Sequence, residues 1–191
     1  MARTYSEMVP LGSPAPAFDL PIANPEVDDR DSETRSLADY ADAEALVVVF
    51  MCNHCPYVKT IEDRLIALAR DYAPRGVALV GICSNDAEAY PDDSFEAIAE
   101  RARAKGYPFP YLYDESQSAA RDYDAVCTPD FFVYDRDRRL VYRGRLDDGR
   151  PGQDPTTTDL RDALDELLTE GNVTGEQIPS MGCNIKWKTP A

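Results

Sequence analysis

The stretch Ala45-Leu-Val-Val-Val-Phe-Met-Cys52-Asn-His-Cys55-Pro56 decides the fold of this chain. Its apolar, β-branched first part is typical of a strand that is buried on both faces. The two cysteines follow directly, and the apolar spacing after Pro56 is typical of a helix over residues 57–72. A strand that delivers Cys-x-x-Cys to a helix start indicates redox chemistry, because unpaired N–H groups and the helix dipole favour the thiolate.

This position predicts a role for each residue of the motif. Cys52 is expected to be the nucleophile, since we place it nearest the helix N-terminus and expect it to be the more exposed sulfur. Cys55, one turn further, is expected to resolve the mixed disulfide. Asn53 and His54 lie in the short loop between them, where an imidazole can lower the Cys52 pKa by adding a positive charge or a donor. The alternative is a solvent-facing His54 with little effect on the sulfur.

Other uses of the motif are less well supported. Structural zinc needs four ligands, usually from a second close Cys/His pair. The remaining cysteines, Cys83, Cys127 and Cys183, are widely separated, and His54 is the single histidine. We therefore predict neither a metal nor a cofactor. A purely structural disulfide is disfavoured, because so small a loop constrains the unfolded chain little.

The composition limits the possible partners and compartment. The chain has 191 residues and a formal net charge of −15, with 35 acidic residues against 20 basic ones. Such a balance disfavours nucleic-acid binding, which needs a basic surface. There is no apolar run of membrane-spanning length and no signal-peptide core, so we expect a cytoplasmic protein without a membrane partner, as a monomer or dimer. The acidic surface fits either good solvation or a salt-rich host.

The chain is predicted to form a single domain over residues 1–191. It divides into an N-terminal extension at 1–35, a core at 36–170 and a C-terminal tail at 171–191. A short connection makes the strand at 77–83 parallel to the strand at 45–51, and the two strands after residue 130 form an antiparallel hairpin. The predicted strands are 17–22, 45–51, 77–83, 111–113, 131–134 and 140–146, and the predicted helices are 37–43, 57–72, 94–105, 116–123 and 158–169.

Three segments carry a resemblance to a known superfamily. They are Phe50-Met-Cys-Asn-His-Cys-Pro-Tyr-Val58, Val126-Cys-Thr-Pro-Asp-Phe-Phe-Val133 and Leu140-Val-Tyr-Arg-Gly-Arg-Leu-Asp147. The chain resembles the thioredoxin-like superfamily, in its redoxin and alkyl-hydroperoxide-reductase-like branch. The tail, Gly182-Cys-Asn-Ile-Lys-Trp-Lys188, resembles that of small thiol-disulfide oxidoreductase-like members. This implies an α/β thioredoxin-like fold, with a central mixed β-sheet flanked by helices, an N-terminal extension and a central insertion.

The resemblance also implies a second part of the site. The Thr128-Pro129 bond is expected to be cis and to stand opposite the Cys-x-x-Cys motif, where the Thr128 backbone could pair with an extended client. Cys127 and Cys183 are either reduced, buried small hydrophobes or an auxiliary redox pair or relay. Cys83, at the end of a buried strand, is expected to belong to the core.

The chain departs from better-known relatives in ways that bear on function. Thioredoxins bury an acidic residue beneath the motif as a proton acceptor, but the strand at 46–50 contains none. Peroxiredoxins need Pro-x-x-x-Thr-x-x-Cys, and neither Cys52 nor Cys55 fits that pattern. The leading hypothesis is thiol–disulfide exchange with a disulfide-bearing protein or a small thiol, served by an unidentified electron donor. The alternatives are a thiol peroxidase acting on peroxide and a copper(I) chaperone or sensor.

The tail is unusually apolar for a chain end. Docking of Trp187 against the domain could contribute about 2 kcal/mol, so we predict that the tail packs back. Two lysines, Lys186 and Lys188, are expected to find partners on the acidic surface. Docking away from the motif is favoured over contact with it, although a contact could bring Cys183 near Cys127.

Overall fold

The buried run after Glu44 forms the central strand of a five-stranded sheet. The computed structural model describes residues 3–189. The strands are β1 (Arg3–Tyr5), β2 (Asp19–Pro21), β3 (Thr34–Ser36), β4 (Ala45–Phe50), β5 (Val77–Cys83), β6 (Tyr111–Tyr113), β7 (Cys127–Thr128), β8 (Asp130–Tyr134), β9 (Leu140–Gly144) and β10 (Met181–Asn184). The helices are α1 (Pro56–Tyr72), α2 (Phe95–Lys105), α3 (Ser118–Asp122) and α4 (Asp159–Glu170).

The main sheet has the strand order β6-β5-β4-β8-β9. Strands β4, β5 and β6 run parallel, whereas β8 is antiparallel to β4 and to β9. The predicted parallel strand pair and the predicted hairpin are therefore confirmed. The arrangement is the mixed α/β sheet flanked by helices that the resemblance implied.

Alternate residues of β4 point into two cores, and all of them are fully buried. Val47 and Val49 pack in one cluster with side chains of α1, α2 and α4. Val48 and Phe50 pack in the other, with side chains of α3. A strand buried on both faces reads as a continuous apolar run, which is why the sequence located it so clearly.

Several boundaries differ from the predicted ones. The helix at 37–43 is only a 3₁₀ turn, Leu37–Tyr40, whose start is capped by Ser36 and Asp39 as a reciprocal pair. The strand at 17–22 shrinks to β2, which pairs with the unpredicted β3. Helix α2 begins as predicted after Ser94, whose hydroxyl accepts from the N–H of Ala97 at 3.2 Å.

The tail forms a strand of its own, as part of a second sheet. Strand β10 lies between β1 and β7, antiparallel to both. This sheet brings β10 against β7, immediately before Pro129, and β1 against the other edge of β10. Among residues 3–189, no helix is both long and apolar enough to cross a membrane.

Candidate active site

The Cys-x-x-Cys motif lies in the loop between the carboxyl end of β4 and the start of α1. Cys55 is the N-cap of α1, and Pro56 occupies the first turn, as predicted. Cys52 lies three residues before this N-cap. The expectation that Cys52 is the cysteine nearest the helix N-terminus is therefore wrong. Both cysteines are buried, at 1 % and 0 % exposure, so greater exposure does not separate their roles.

The two sulfurs hydrogen-bond to each other and titrate as a pair. This bond is the main reason that the pKa of Cys55 falls to about 5, with the N–H of Val58 assisting against the effect of burial. The same bond, followed by burial, raises the pKa of Cys52. In the singly ionised pair the two sulfurs therefore share one proton and one negative charge.

His54 is held by a buried carboxylate and does not face solvent. Its Nδ1 lies 2.5 Å from Oδ2 of Asp93 and 3.9 Å from the Cys52 sulfur. Its ring stacks on Tyr90, with 5.1 Å between the ring centroids. Because a carboxylate only accepts hydrogen bonds, Nδ1 carries a proton and donates it to Asp93, while the ring edge lies beside the Cys52 sulfur.

Asp93 is fully buried and is the hub of this network. It accepts the backbone N–H of Asn53 at 2.7 Å and Nδ2 of Asn85 at 2.8 Å, in addition to His54. Burial by itself would raise the pKa of Asp93, but the bonds from His54 and Asn85 outweigh it and hold the pKa below its usual value. The carboxylate is therefore charged at neutral pH, and it orients the imidazole.

Sequence reasoning missed Asp93, although a signal was present. Asp93 ends the polar loop that follows β5, and the motif follows β4. Parallel strands end at the same edge of a sheet, so the loops after them lie together. That rule would have placed residues 84–93 beside the motif.

Asn53 has a different place from the expected one. Its side chain donates to the carbonyls of Asp92 and Ala97, at 2.8 and 3.0 Å, and points away from the sulfurs toward α2. These bonds anchor the loop to the start of α2. An effect of Asn53 on the cysteine pKa values stays a prediction.

The Thr128-Pro129 bond is cis, as the resemblance implied, and faces the motif. The Thr128 hydroxyl lies 3.4 Å from the Cys52 sulfur, and the Cys55 thiol donates to the Thr128 carbonyl at 3.0 Å. One residue therefore contacts both sulfurs, with its side chain on Cys52 and its backbone on Cys55.

The tail docks at this site, so the favoured expectation of docking elsewhere is wrong. Cys183 pairs with Thr128 and Asn184 with Cys127 in the β10–β7 ladder. The thiol of Cys183, 2 % exposed, hydrogen-bonds to the Cys55 sulfur. The burial that was expected of Trp187 falls on Ile185, which is 1 % exposed, while Trp187 remains 40 % exposed beside Arg121.

The remaining two cysteines are separate from the pair. Cys127 is buried and directs its thiol to the Pro129 carbonyl at 3.6 Å, and burial raises its pKa. Cys83 lies in the core as predicted, and burial raises its pKa too. Of the two candidate auxiliary cysteines, the structure thus brings Cys183, and not Cys127, into hydrogen-bond contact with the motif.

Cys52, His54 and Asp93 also deserve consideration as metal ligands, since their ligand atoms all lie within 4.8 Å of one another. Two ligands of a tetrahedral metal with bonds near 2.05 Å would be about 3.3 Å apart. The nitrogen of His54 and the oxygen of Asp93 are only 2.5 Å apart. That spacing is a hydrogen bond, and the group is arranged as a proton-sharing network beside a thiol.

Fold and site together define a redox protein of the thioredoxin-like kind. The chain belongs to the AhpC/TSA family, whose model matches residues 11–143. No curated protein matches it.

Two solved structures are similar over the whole chain. An uncharacterised conserved protein from Geobacillus kaustophilus is 50 % identical, with a TM-score of 0.92, over 100 % of this chain and 99 % of the other. A hypothetical protein from Sinorhizobium meliloti is 47 % identical, with a TM-score of 0.90, over 98 % of this chain and 100 % of the other. The thioredoxin domain of a thiol-disulfide oxidoreductase from Bacteroides vulgatus shares the fold, with 15 % identity and a TM-score of 0.62, over 85 % of this chain and 100 % of that domain.

Proposed function

We propose that this protein catalyses thiol–disulfide exchange through Cys52 and Cys55, with a small molecule as the oxidising substrate. The observation that carries the proposal is the hydrogen-bonded sulfur pair, with one pKa lowered to about 5, facing Thr128. A dithiol with one sulfur already ionised at neutral pH is suited to attack a disulfide.

We assign Cys52 as the sulfur that meets the substrate, because the Cys55 sulfur already interacts with two other groups. The Cys55 sulfur has the Thr128 carbonyl on one side and the Cys183 thiol on the other. Transfer of the shared proton from Cys52 to Cys55 generates the attacking thiolate, whose sulfur lies 3.9 Å from Nδ1 of His54. Cys52 then forms the mixed disulfide, and Cys55 displaces the second half of the substrate as a thiol.

The tail argues for a small substrate. The N–H of Ile185 donates to the Val126 carbonyl at 3.1 Å, and hydrogen-bonded pairs alternate along an antiparallel ladder, so Cys183 and Thr128 form the next such pair. The backbone groups that a polypeptide client would need at Thr128 are thus in use. A cleft of about 90 Å³ lies beside Pro129, but neither motif cysteine lines it.

The test compares substrates and variants under one set of conditions. Oxidised glutathione, an insulin-type disulfide and hydrogen peroxide are offered to the reduced protein, and loss of thiols is followed. We expect faster reaction with glutathione disulfide than with insulin. Cys52→Ser is expected to abolish exchange and Cys55→Ser to trap a glutathione adduct, while the control Cys127→Ser retains exchange. Adduct formation on Cys55 in the Cys52→Ser variant would reverse the two roles.

A second candidate, thiol peroxidase, is favoured by one contact. The Thr128 hydroxyl lies 3.4 Å from the Cys52 sulfur, in reach of an oxygen bound there. The peroxiredoxin pattern, which this chain lacks, places a threonine three residues before the reactive cysteine. Here the hydroxyl comes instead from Thr128, at the end of β7. Cys52 thiolate would take one peroxide oxygen to give the sulfenic acid and hydroxide, and Cys55 would then form the disulfide with release of water.

Thr128→Val separates the two activities, because it removes the hydroxyl at nearly constant volume. We expect a peroxide rate at least tenfold lower and a glutathione-disulfide rate within about twofold of the original. Equal loss of both rates would mean that Thr128 serves only to position Cys52.

A further inference from the structure

We infer that Cys183 is a third redox-active cysteine, which takes over Cys55 from the Cys52–Cys55 disulfide and returns Cys52 as a thiol. The inference rests on the proposed function for the origin of that disulfide. It assigns a reaction to the tail that neither the fold nor the Cys-x-x-Cys motif requires.

The first argument is the position of the tail strand. Cys55 donates to the Thr128 carbonyl at 3.0 Å, and Cys183 is the residue paired with Thr128 across the ladder. The Thr128 residue therefore holds both cysteines, and the interaction between their thiols is one of the causes of the lowered pKa of Cys55. The tail presents Cys183 to the motif as a client segment would present its own cysteine.

The second argument is that the chain is shaped to hold this position. Gly182 lies against the backbone of Thr128 and Pro129, and a Cβ at residue 182 would overlap the Thr128 carbonyl. Only glycine allows β10 to approach this closely. A side chain there would separate Cys183 from Cys55.

Polar contacts fix the tail on both sides of Cys183. Before it, Ser180 donates its hydroxyl to the Gly144 carbonyl at 2.8 Å. After it, the N–H of Lys186 donates to Asn85 and its carbonyl accepts from Gln117, each at 2.8 Å. Asn85 also donates to Asp93, so the tail and the His54–Asp93 pair share one buried network.

The exchange balances without an external reagent. The Cys183 thiolate attacks the Cys55 sulfur of the Cys52–Cys55 disulfide, the Cys55–Cys183 bond forms, and the Cys52–Cys55 bond breaks. The electron pair of the broken bond remains on Cys52, which takes up the proton that Cys183 lost. The protein stays oxidised by two electrons, but its reactive sulfur is restored and the tail is covalently fixed to α1.

Disulfide mapping tests the inference in the full-length protein. Trypsin places Cys52 and Cys55 on residues 36–59, Cys127 on residues 122–136 and Cys183 on residues 162–186. Protein oxidised with diamide, which removes two hydrogens from a pair of thiols, is acid-quenched, denatured, labelled with maleimide and digested. We expect a cross-link between 36–59 and 162–186 through Cys55, with maleimide on Cys52.

Three variants sharpen the result. Cys52→Ser treated with diamide is expected to lose two thiols and to give the same cross-link, and Cys52→Ser/Cys127→Ser is the matched control that should behave alike. In oxidised Cys183→Ser, maleimide should no longer label Cys52. A cross-link through Cys52 or Cys127, or none in both the original protein and Cys52→Ser, would overturn the inference.

The outcomes also separate this inference from the proposed function. A Cys55–Cys183 bond in a protein without exchange activity would leave the inference standing and refute the function. Full exchange activity without that bond would refute the inference and leave the proposed function standing.

Discussion

Replacing Asp93 by asparagine should destabilise the protein markedly, although the two side chains are nearly the same size. Oδ1 of Asp93 accepts two backbone N–H groups, those of Asn53 and His54, at 2.7 and 3.3 Å. Oδ2 accepts Nδ1 of His54 and Nδ2 of Asn85, at 2.5 and 2.8 Å. All four contacts are donors, and an asparagine offers one acceptor and one further donor.

Neither orientation of the new amide satisfies these donors. With its NH₂ group toward the backbone, it opposes two N–H groups that cannot move. With its NH₂ group toward the other side, it opposes Asn85, whose amide cannot flip because its oxygen accepts from Lys186. One buried donor is therefore left without an acceptor, at about 1–3 kcal/mol, and the charge-assisted bond to His54 is weakened as well. We expect the free energy of unfolding to fall by about 2–4 kcal/mol.

The loss of unfolding free energy in Asp93→Asn should depend on pH in a defined direction. The pKa of Asp93 is lowered in the folded protein, so its contribution to stability is present above the ordinary value of 3.8 and is lost as the pH falls through the folded value. In urea unfolding at a series of pH values, the difference in unfolding free energy between the original protein and Asp93→Asn should be full at pH 7 and should narrow below about pH 4. Asp92→Asn is the matched control, since Asp92 is exposed and contacts Asn53 only through its carbonyl.

Two results would refute this reasoning. Equal urea midpoints for the original protein and Asp93→Asn at pH 7 would show that the carboxylate is not the hub of the site. A difference of constant size down to pH 3 would show that its charge does not matter. The negative charge of Asp93 also raises the pKa of Cys52, so the Asp93→Asn variant should be alkylated at Cys52 at a lower pH.

Three further predictions follow from single contacts. The reduction potential of the motif should be higher than that of thioredoxin, which is about −270 mV, and His54→Pro should lower it. An equal reduction potential for the original protein and His54→Pro in a titration against glutathione would remove His54 from the mechanism. Arg143→Met should lower the free energy of unfolding by about 3–5 kcal/mol, because it leaves the fully buried Asp130 without its ion pair, and an unchanged urea midpoint would contradict this. Glu62→Gln should lower the free energy of unfolding by about 1–3 kcal/mol at neutral pH and by less in acid. The reason is that Glu62 has a lowered pKa and accepts a hydrogen bond from the Tyr107 hydroxyl at 2.5 Å. An equally large loss of unfolding free energy at pH 3 would contradict this.

The sequence predicted the sheet and the motif because both depend on local patterns. A strand buried on two faces shows as an unbroken apolar run, and Cys52 and Cys55 follow it with Pro56 in the first helical turn. The partners of the sulfurs depend on contacts between distant segments. Asp93 reaches His54 across 39 positions, and no pattern in residues 84–93 marks one carboxylate among several.

The tail shows why a correct expectation can have the wrong reason. Docking was predicted from the burial of Trp187, which stays 40 % exposed. The tail is held by backbone pairing with β7, which any sequence without proline could attempt, and by polar contacts on both sides of Cys183. The specific element is Gly182, whose missing Cβ leaves room for the Thr128 carbonyl. A glycine directly before a cysteine was the available signal for close approach to the site.

The position of the buried acid decides which group accepts the proton of Cys52. Thioredoxin-like relatives are expected to use an acidic residue beneath the motif as a proton acceptor, and β4 has none. Asp93 supplies a buried carboxylate from the other side, but its lowered pKa and its four donors make it a poor proton acceptor. The acceptor nearest to the Cys52 proton is the Cys55 sulfur, with which Cys52 shares that proton. Deprotonation of Cys52 is therefore a transfer between sulfurs, and Asp93 acts on it by holding His54 in place and through its negative charge, which raises the pKa of Cys52.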